Sequence, residues 1–260
     1  AGGSVMHEFR RGGDLLDLPP EQTHITEMAD SRRGGGFLRW NHTLGPATFY
    51  NLATSLNYLS RSTYYGAGFD PNAYGLTGNP LWVNEASIGH QKGRHTLLGG
   101  FQFSREQVRD TIPAYGRAFR DVFRNAGLYA QEEVKLGRGL TLVAGLRGDK
   151  SNQLGHWVFS PRGNIRLGLD DKWSLRAGVS TGFRAPAIFE EDLHVTQVGG
   201  AGLLLENAPG LREEKSFSRA LSVDYAGSLS GLPFQAGVNL FWTSLDGVHV
   251  FEETPVEEAE

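Results

Sequence analysis

The chain has 260 residues, including 35 glycines and no cysteine, and its net charge is −4 at pH 7. The lack of cysteine excludes disulfides, thiolate metal sites and cysteine nucleophiles. The basic residues form no stripe, which argues against a nucleic-acid partner. No apolar run approaches the roughly 20 residues of a membrane-spanning helix.

Segments in which apolar and polar residues alternate recur along the chain and predict an all-β protein. From Leu140 onward, for example, leucines point to one side while Arg147 and Asp149 point to the other. A further strand is expected to begin near Val248. In chain order, the ten predicted strands lie near 36–44, 47–60, 81–91, 95–104, 122–136, 140–149, 157–169, 173–182, 215–227 and 233–244.

The links between these segments alternate between very short turns and longer polar stretches. The short turns lie at 45–46, 91–94, 137–139, 170–172 and 228–231. The longer stretches, interpreted as outer loops, are 10–35, 61–80, 104–121, 150–156 and 183–215. Short turns at one rim and long loops at the other are typical of an antiparallel transmembrane β-barrel, whose periplasmic turns are short and whose extracellular loops are long.

The polar and aromatic residues favour the same fold. Alternation alone also fits a soluble sheet with one solvated face. Aromatic residues near the segment ends, however, match the girdle at a membrane surface; they are Trp40, Trp82, Trp157, Trp173 and Tyr225. Charged residues that repeat on the polar face are predicted to line a wet lumen; they are Arg147, Asp149, Arg162, Arg166 and Arg176.

Three motifs in the second half of the chain resemble those of TonB-dependent outer-membrane receptors. They are Phe159-Ser160-Pro161-Arg162, the strand end from Arg176 to Pro186 that reads RAGVSTGFRAP, and the loop exit from Leu211 to Ser216 that reads LREEKS. The loop exit departs from the family pattern, because Glu213 stands where a proline is expected.

The resemblance implies a barrel of about 22 strands, of which residues 1–260 would be a partial domain of about ten. It also implies an N-terminal plug, a TonB-contacting box and a closing strand that this sequence does not contain. The implied partners are the TonB–ExbB–ExbD machinery, outer-membrane lipid of a Gram-negative bacterium and an extracellular metal chelate. A ferric siderophore is the first choice of chelate, with haem or cobalamin next, and the receptor is expected to be a monomer.

Several loop residues are candidates for contact with this ligand. Arg184 could face an anionic ligand or brace the packing at the rim. His194 lies where haem receptors of the family carry a ligating histidine, although a surface histidine is the favoured interpretation. Tyr64, Tyr65 and Tyr74 lie in an aromatic, glycine-rich stretch and could stack on a flat ligand or pack against neighbouring loops.

No nucleophile elbow and no paired metal-ligand motif occurs, so the sequence predicts neither an enzyme nor a resident metal or cofactor. Two alternatives from other classes stay open at this point. One is a small, self-contained outer-membrane pore or adhesin. The other is a soluble all-β glycan-binding module, which requires protein to bury Leu142, Leu146, Ile165 and Leu167.

Overall fold

The computed structural model describes residues 1–137, 139–187 and 208–250. Within them, the chain forms one antiparallel sheet of eleven strands, in which strands that are consecutive in sequence are hydrogen-bonded to each other. The strands are β1 (Gly2–Gly13), β2 (Ile25–Leu44), β3 (Thr48–Ala67), β4 (Tyr74–Lys92), β5 (His95–Ile112), β6 (Arg117–Leu136), β7 (Leu140–Ser151), β8 (Val158–Gly168), β9 (Trp173–Arg184), β10 (Glu214–Leu229) and β11 (Leu232–Asp246).

Strands β2 to β6 are much longer than predicted, at 18 to 20 residues each. Most of the predicted loops at 61–80 and 104–121 therefore belong to strands, and only residues 68–73 and 113–116 lie between them. The prediction failed because these outer strand segments mix polar and apolar residues on both faces, so that no regular apolar alternation marks them.

The N-terminal region also differs from the prediction. Residues 10–35 do not form one loop, because β1 runs to Gly13 and β2 begins at Ile25. The eleventh strand is β1 rather than a segment from Val248, since Val248 to Val250 follow β11 without strand pairing. In contrast, β7 to β11 lie within a few residues of their predicted positions.

The alternation of short turns and longer links is confirmed. The tight turns between β2 and β3, β4 and β5, β6 and β7, β8 and β9, and β10 and β11 all lie at one end of the sheet. Four of them contain a glycine with positive φ, a conformation that glycine adopts without steric cost; these are Gly45, Gly93, Gly139 and Gly231. The ends of β1, β3, β5, β7 and β9 lie at the opposite rim, referred to here as the outer end.

The register divides the sheet into an apolar and a polar face. Leu142 lies opposite Ile165, which lies opposite Ala177, all on the apolar face. Leu146 is 51% exposed and Ile165 is 41% exposed. No described residue covers these side chains, whereas the soluble glycan-binding alternative requires protein to bury them. The predicted aromatic residues Trp40, Trp82, Trp157, Trp173 and Tyr225 lie on this same face by the register and strand alternation.

Buried hydrophobic side chains concentrate at the outer end, where three 3₁₀ turns (Pro20–Gln22, Pro71–Ala73 and Pro113–Tyr115) connect the tips of the long strands. The buried residues are Leu59, Tyr64, Ala73, Val108, Ile112, Leu154 and Val158. The outer strand segments therefore pack around a small core of their own. No helix in the described part of the chain is long and apolar enough to cross a membrane.

Candidate ligand-binding mouth

The hairpin of β3 and β4 is held by two of the predicted tyrosines. The Tyr64 ring is fully buried, and its centroid lies 4.9 Å from that of Tyr74 in an edge-on arrangement. The Tyr64 hydroxyl donates to the backbone oxygen of Asp70 at 3.0 Å. The Tyr74 hydroxyl donates to Glu21 Oε2 at 2.5 Å, and this hydrogen bond is the main reason that the pKa of Glu21 is lowered. Both tyrosines therefore connect neighbouring loops in this conformation.

The third tyrosine lies on the polar face of the outer segments. Tyr65 is half-buried and lies opposite Glu27 in the register of β2 and β3. Arg61 and Arg33 lie on the same face, because Arg61 is opposite Ser31 and residues two apart along a strand share a face. Arg61 Nε donates to Ser31 Oγ at 2.9 Å. This face therefore presents guanidinium groups beside an aromatic ring.

A buried ion pair lies on the same face of the next hairpin. Arg117 Nε is 2.5 Å from Asp110 Oδ2, and the two side chains are 15% and 7% exposed. Thr77 Oγ1 donates to the other carboxylate oxygen of Asp110 at 2.6 Å. Together with Thr77, the pair links β4, β5 and β6 in outer strand segments that were predicted to be loops. The sequence analysis did not predict this pair. Asp110 lies two residues from both Val108 and Ile112, so the three side chains share one face of β5.

Arg147 and Asp149, in the outer half of β7 and opposite the middle of β6, form the centre of a polar network. Arg147 donates from Nε and Nη2 to the two Asp149 oxygens, both at 2.7 Å. Nη2 also reaches Gln102 Oε1 at 2.9 Å, and Asn125 donates to Asp149 at 2.7 Å. Such a bidentate arginine–carboxylate pair is geometrically specific. The network ties β5, β6 and β7 together on the polar face.

The other predicted polar-face residues lie on this face too. Arg162 hydrogen-bonds the side-chain oxygen of Gln131. Arg176 pairs with Asp224 on β10 at 2.7 Å and lies opposite Arg166. All five residues predicted to line a lumen thus share one face of the sheet, and their position in a lumen stays a prediction.

Two neighbouring carboxylates mark the exit from the loop before β10. Arg184 Nη1 lies 3.8 Å from Glu214 Oε2, so the predicted rim arginine has a carboxylate partner. Glu213, whose side chain is 2% exposed, lies 3.0 Å from His156 Nε2 and 3.1 Å from Lys215 Nζ. Burial alone raises the pKa of Glu213, but a backbone hydrogen bond together with His156 and Lys215 lowers it to about 2.

His194 lies outside the described residues. Asp14, one of the acidic loop residues, accepts hydrogen bonds from the Ile25 backbone and from His24 at 3.1 and 2.8 Å. The Ile25 hydrogen bond is the main cause of its lowered pKa. Among the described residues, no three histidine, aspartate or glutamate side chains converge on a metal-binding arrangement.

A sheet of eleven up-and-down strands with one apolar face, one polar face and tight turns at one end defines the wall of an outer-membrane barrel. Comparison with known proteins gives the family. The sequence pattern described as "TonB dependent receptor-like, beta-barrel" matches residues 8–257, and the chain belongs to this family. It is a protein of the Gram-negative outer membrane and not a member of an enzyme family.

Curated relatives include an iron-regulated outer membrane virulence protein of Vibrio cholerae, 37% identical over 136 residues, which are 52% of this chain and 20% of that protein. The ferric enterobactin receptor of Pseudomonas aeruginosa is 28% identical over 89% of this chain and 31% of its own length. The chain therefore spans less than a third of these relatives. With the family established, the small-pore and adhesin alternative is no longer needed.

Solved structures show the same fold. The siderophore receptor PirA from P. aeruginosa superimposes with a TM-score of 0.64 at 17% identity, over 85% of this chain and 41% of that one. The FrpB iron transporter from Neisseria meningitidis gives a TM-score of 0.65 at 13% identity, over the same shares of the two chains. At these identities the likeness concerns the fold alone.

Proposed function

We propose that the receptor containing this chain captures a ferric siderophore at its outer mouth and passes it through the barrel, with the plug moved by the TonB–ExbB–ExbD machinery. The names of the relatives support this choice, since they include a ferric enterobactin receptor and an iron-regulated outer membrane protein. Haem and cobalamin follow in that order, and the receptor works as a monomer.

The observation that carries the proposal is the basic and aromatic character of the polar face near the outer end of β2 and β3. Arg33, Arg61 and Tyr65 lie on the polar face of β2 and β3, on strand segments that extend towards the outer end. Guanidinium groups bind anionic oxygen ligands through charge-assisted hydrogen bonds, and an aromatic ring offers a stacking surface for a planar chelating group. A negatively charged chelate fits this face better than a neutral or cationic one.

The test uses the receptor expressed with its flanking sequence. Arg33→Gln combined with Arg61→Gln is expected to weaken binding of a ferric catecholate at least about tenfold, because two charge-assisted contacts are lost. Arg32→Gln is the matched control, since Arg32 neighbours Arg33 but points to the opposite face, 4.0 Å from Asp30. Binding is measured by quenching of tryptophan fluorescence. Equal affinity of the double variant and the control would contradict the proposal.

The same receptor distinguishes haem from a siderophore. If haem were the cargo, His194→Ala would abolish growth on haem as sole iron source and change the absorption spectrum of the bound haem. We expect instead that His194→Ala leaves growth on the ferric siderophore unchanged. Dissipating the proton-motive force with an uncoupler is expected to stop uptake but not surface binding, as the TonB proposal requires.

A further inference from the structure

Four arginines form an array on the apolar side of the hairpin of β5 and β6. Arg105 lies directly opposite Arg124, and Arg109 lies directly opposite Arg120. Direct partners in an antiparallel pair have Cα atoms roughly 5 Å apart, and four residues along a strand span about 13 Å. Three of the four side chains are exposed and Arg105 is half-buried.

Among the residues that the structure describes, no carboxylate pairs with the array. On this face, the outer halves of β3 to β7 carry aromatic, aliphatic, amide and hydroxyl side chains together with Lys150, and no carboxylate. The neighbouring acids Glu106 and Asp121 point to the other face because they alternate with the arginines. With its amide turned, the Gln107 side-chain oxygen accepts from Arg109 Nε at 2.6 Å and from Nη2 at 2.9 Å. Because this amide is neutral, it does not neutralise the arginine charge.

Two like-charge pairs placed directly across from one another destabilise a sheet. An anion between the arginines would remove this repulsion. The nearby Asn152 side chain is neutral and bonds backbone groups instead. It accepts from the Arg124 N–H and donates to the Val122 oxygen. The array therefore concentrates positive charge that a bound anion would offset.

The position of the array indicates the source of the anion. Going along β5 towards the outer end, the residues on this face are Phe101, Phe103, Arg105 and then Arg109. Trp82 lies opposite Arg105 and contacts the edge of Phe103 at a centroid distance of 6.3 Å. Aromatic side chains of this kind mark the level of lipid headgroups. The arginines begin where the apolar surface ends.

We propose that Arg105, Arg109, Arg120 and Arg124 bind the phosphate groups of an anionic lipid headgroup in the outer leaflet. Each planar guanidinium matches a phosphate bidentately, and basic groups at a membrane surface attract anionic lipid. The lipid lies against the outside of the barrel, with its acyl chains on the apolar face below. This site is separate from the mouth, so it holds whether or not the cargo is a siderophore.

The test measures lipid on the receptor purified with its flanking chain. Native mass spectrometry counts bound lipopolysaccharide, and a titration compares the phosphorylated lipid with the same lipid after enzymatic removal of its phosphates. We expect Arg105→Gln with Arg124→Gln, and Arg109→Gln with Arg120→Gln, each to weaken binding of the phosphorylated lipid about tenfold. The control pair is Lys92→Gln with Arg94→Gln, two exposed basic residues at the short-turn end of β4 and β5.

Two results would overturn the proposal. One is equal binding of the phosphorylated and dephosphorylated lipids by the unmodified receptor, which needs no variant and therefore does not depend on variant folding. The other is a control pair that loses as much binding as the two array pairs. Retention of binding when all four arginines are changed to lysine would support a role for charge, and loss of chelate binding is not expected in any of these variants.

Discussion

Glu213 illustrates what a single carboxylate does at the outer loop exits. Its pKa of about 2 in the folded protein lies below the ordinary value for glutamate. A group with a lowered folded-state pKa adds stability above its unfolded-state pKa and loses that stability as the pH falls towards the folded-state value. The link between His156, Glu213 and Lys215 should therefore persist at neutral pH and weaken between about pH 4.5 and pH 2.

Hydrogen exchange of the β7–β8 loop, measured over that pH range, checks this prediction. The loop amides of residues 152–157 are expected to exchange faster as the pH falls, after correction for the intrinsic pH dependence. Glu213→Gln should show fast exchange already at neutral pH and no further change on acidification. An unchanged profile in the variant would mean that the carboxylate does not hold this loop.

The ion pair of Asp110 and Arg117 gives a second prediction for single residues. Asp110→Asn leaves a guanidinium that is only 15% exposed without its counter-charge, which should destabilise the β5–β6 hairpin by about 2 kcal/mol or more. The matched control is Glu8→Gln, whose exposed pairing with Arg10 should contribute less than about 1 kcal/mol. Native-state hydrogen exchange measures both, at the β5–β6 amides for Asp110→Asn and at the β1–β2 amides for Glu8→Gln. Equal effects would show that burial does not strengthen the Asp110 pair.

At the scale of elements, the tight turn between β6 and β7 depends on one glycine. Gly139 has φ of +74°, and a Cβ at this position would lie 2.9 Å from the backbone oxygen of Gly168. Because backbone cannot move aside as a flexible side chain can, Gly139→Ala should cost about 1–2 kcal/mol.

Gly137→Ala in the same turn is the control, because a Cβ there meets nothing within 4 Å and its φ is not positive. Urea unfolding of the two variants in detergent compares the free energies. A cost as large for Gly137→Ala as for Gly139→Ala would contradict this explanation of the turn.

The elements also show what the sequence could predict. Leu140–Ser151 and Trp173–Arg184 were predicted within about two residues, because each has lipid on one side and polar groups on the other. The outer halves of β2 to β6 mix polar and apolar residues on both faces, so hydropathy alternation does not indicate their strand pairing. For the same reason, the sequence did not predict the pair of Asp110 with Arg117. In contrast, Arg147 and Asp149 alternate with apolar residues, and this pattern predicted that they share a face.

For the molecule as a whole, function depends on which face of the sheet meets the lipid. Leu146 lies on the apolar face, between Ala130 and Pro161, while Val143 lies on the polar face, between Glu133 and Asn164. An arginine deep in a lipid-facing surface costs about 2–4 kcal/mol. An arginine on the polar face gains a carboxylate neighbour and should cost much less.

Leu146→Arg is therefore expected to lower the free energy of unfolding in lipid bilayers by about 2–4 kcal/mol and to reduce the amount of assembled receptor. Val143→Arg serves as the matched control, since it adds the same charge three residues away on the same strand. If the two variants were equally destabilised, or if Val143→Arg were worse, the assignment of the faces would be reversed. The arginines at the mouth would then face the membrane, and those beside Trp82 would face the ligand path.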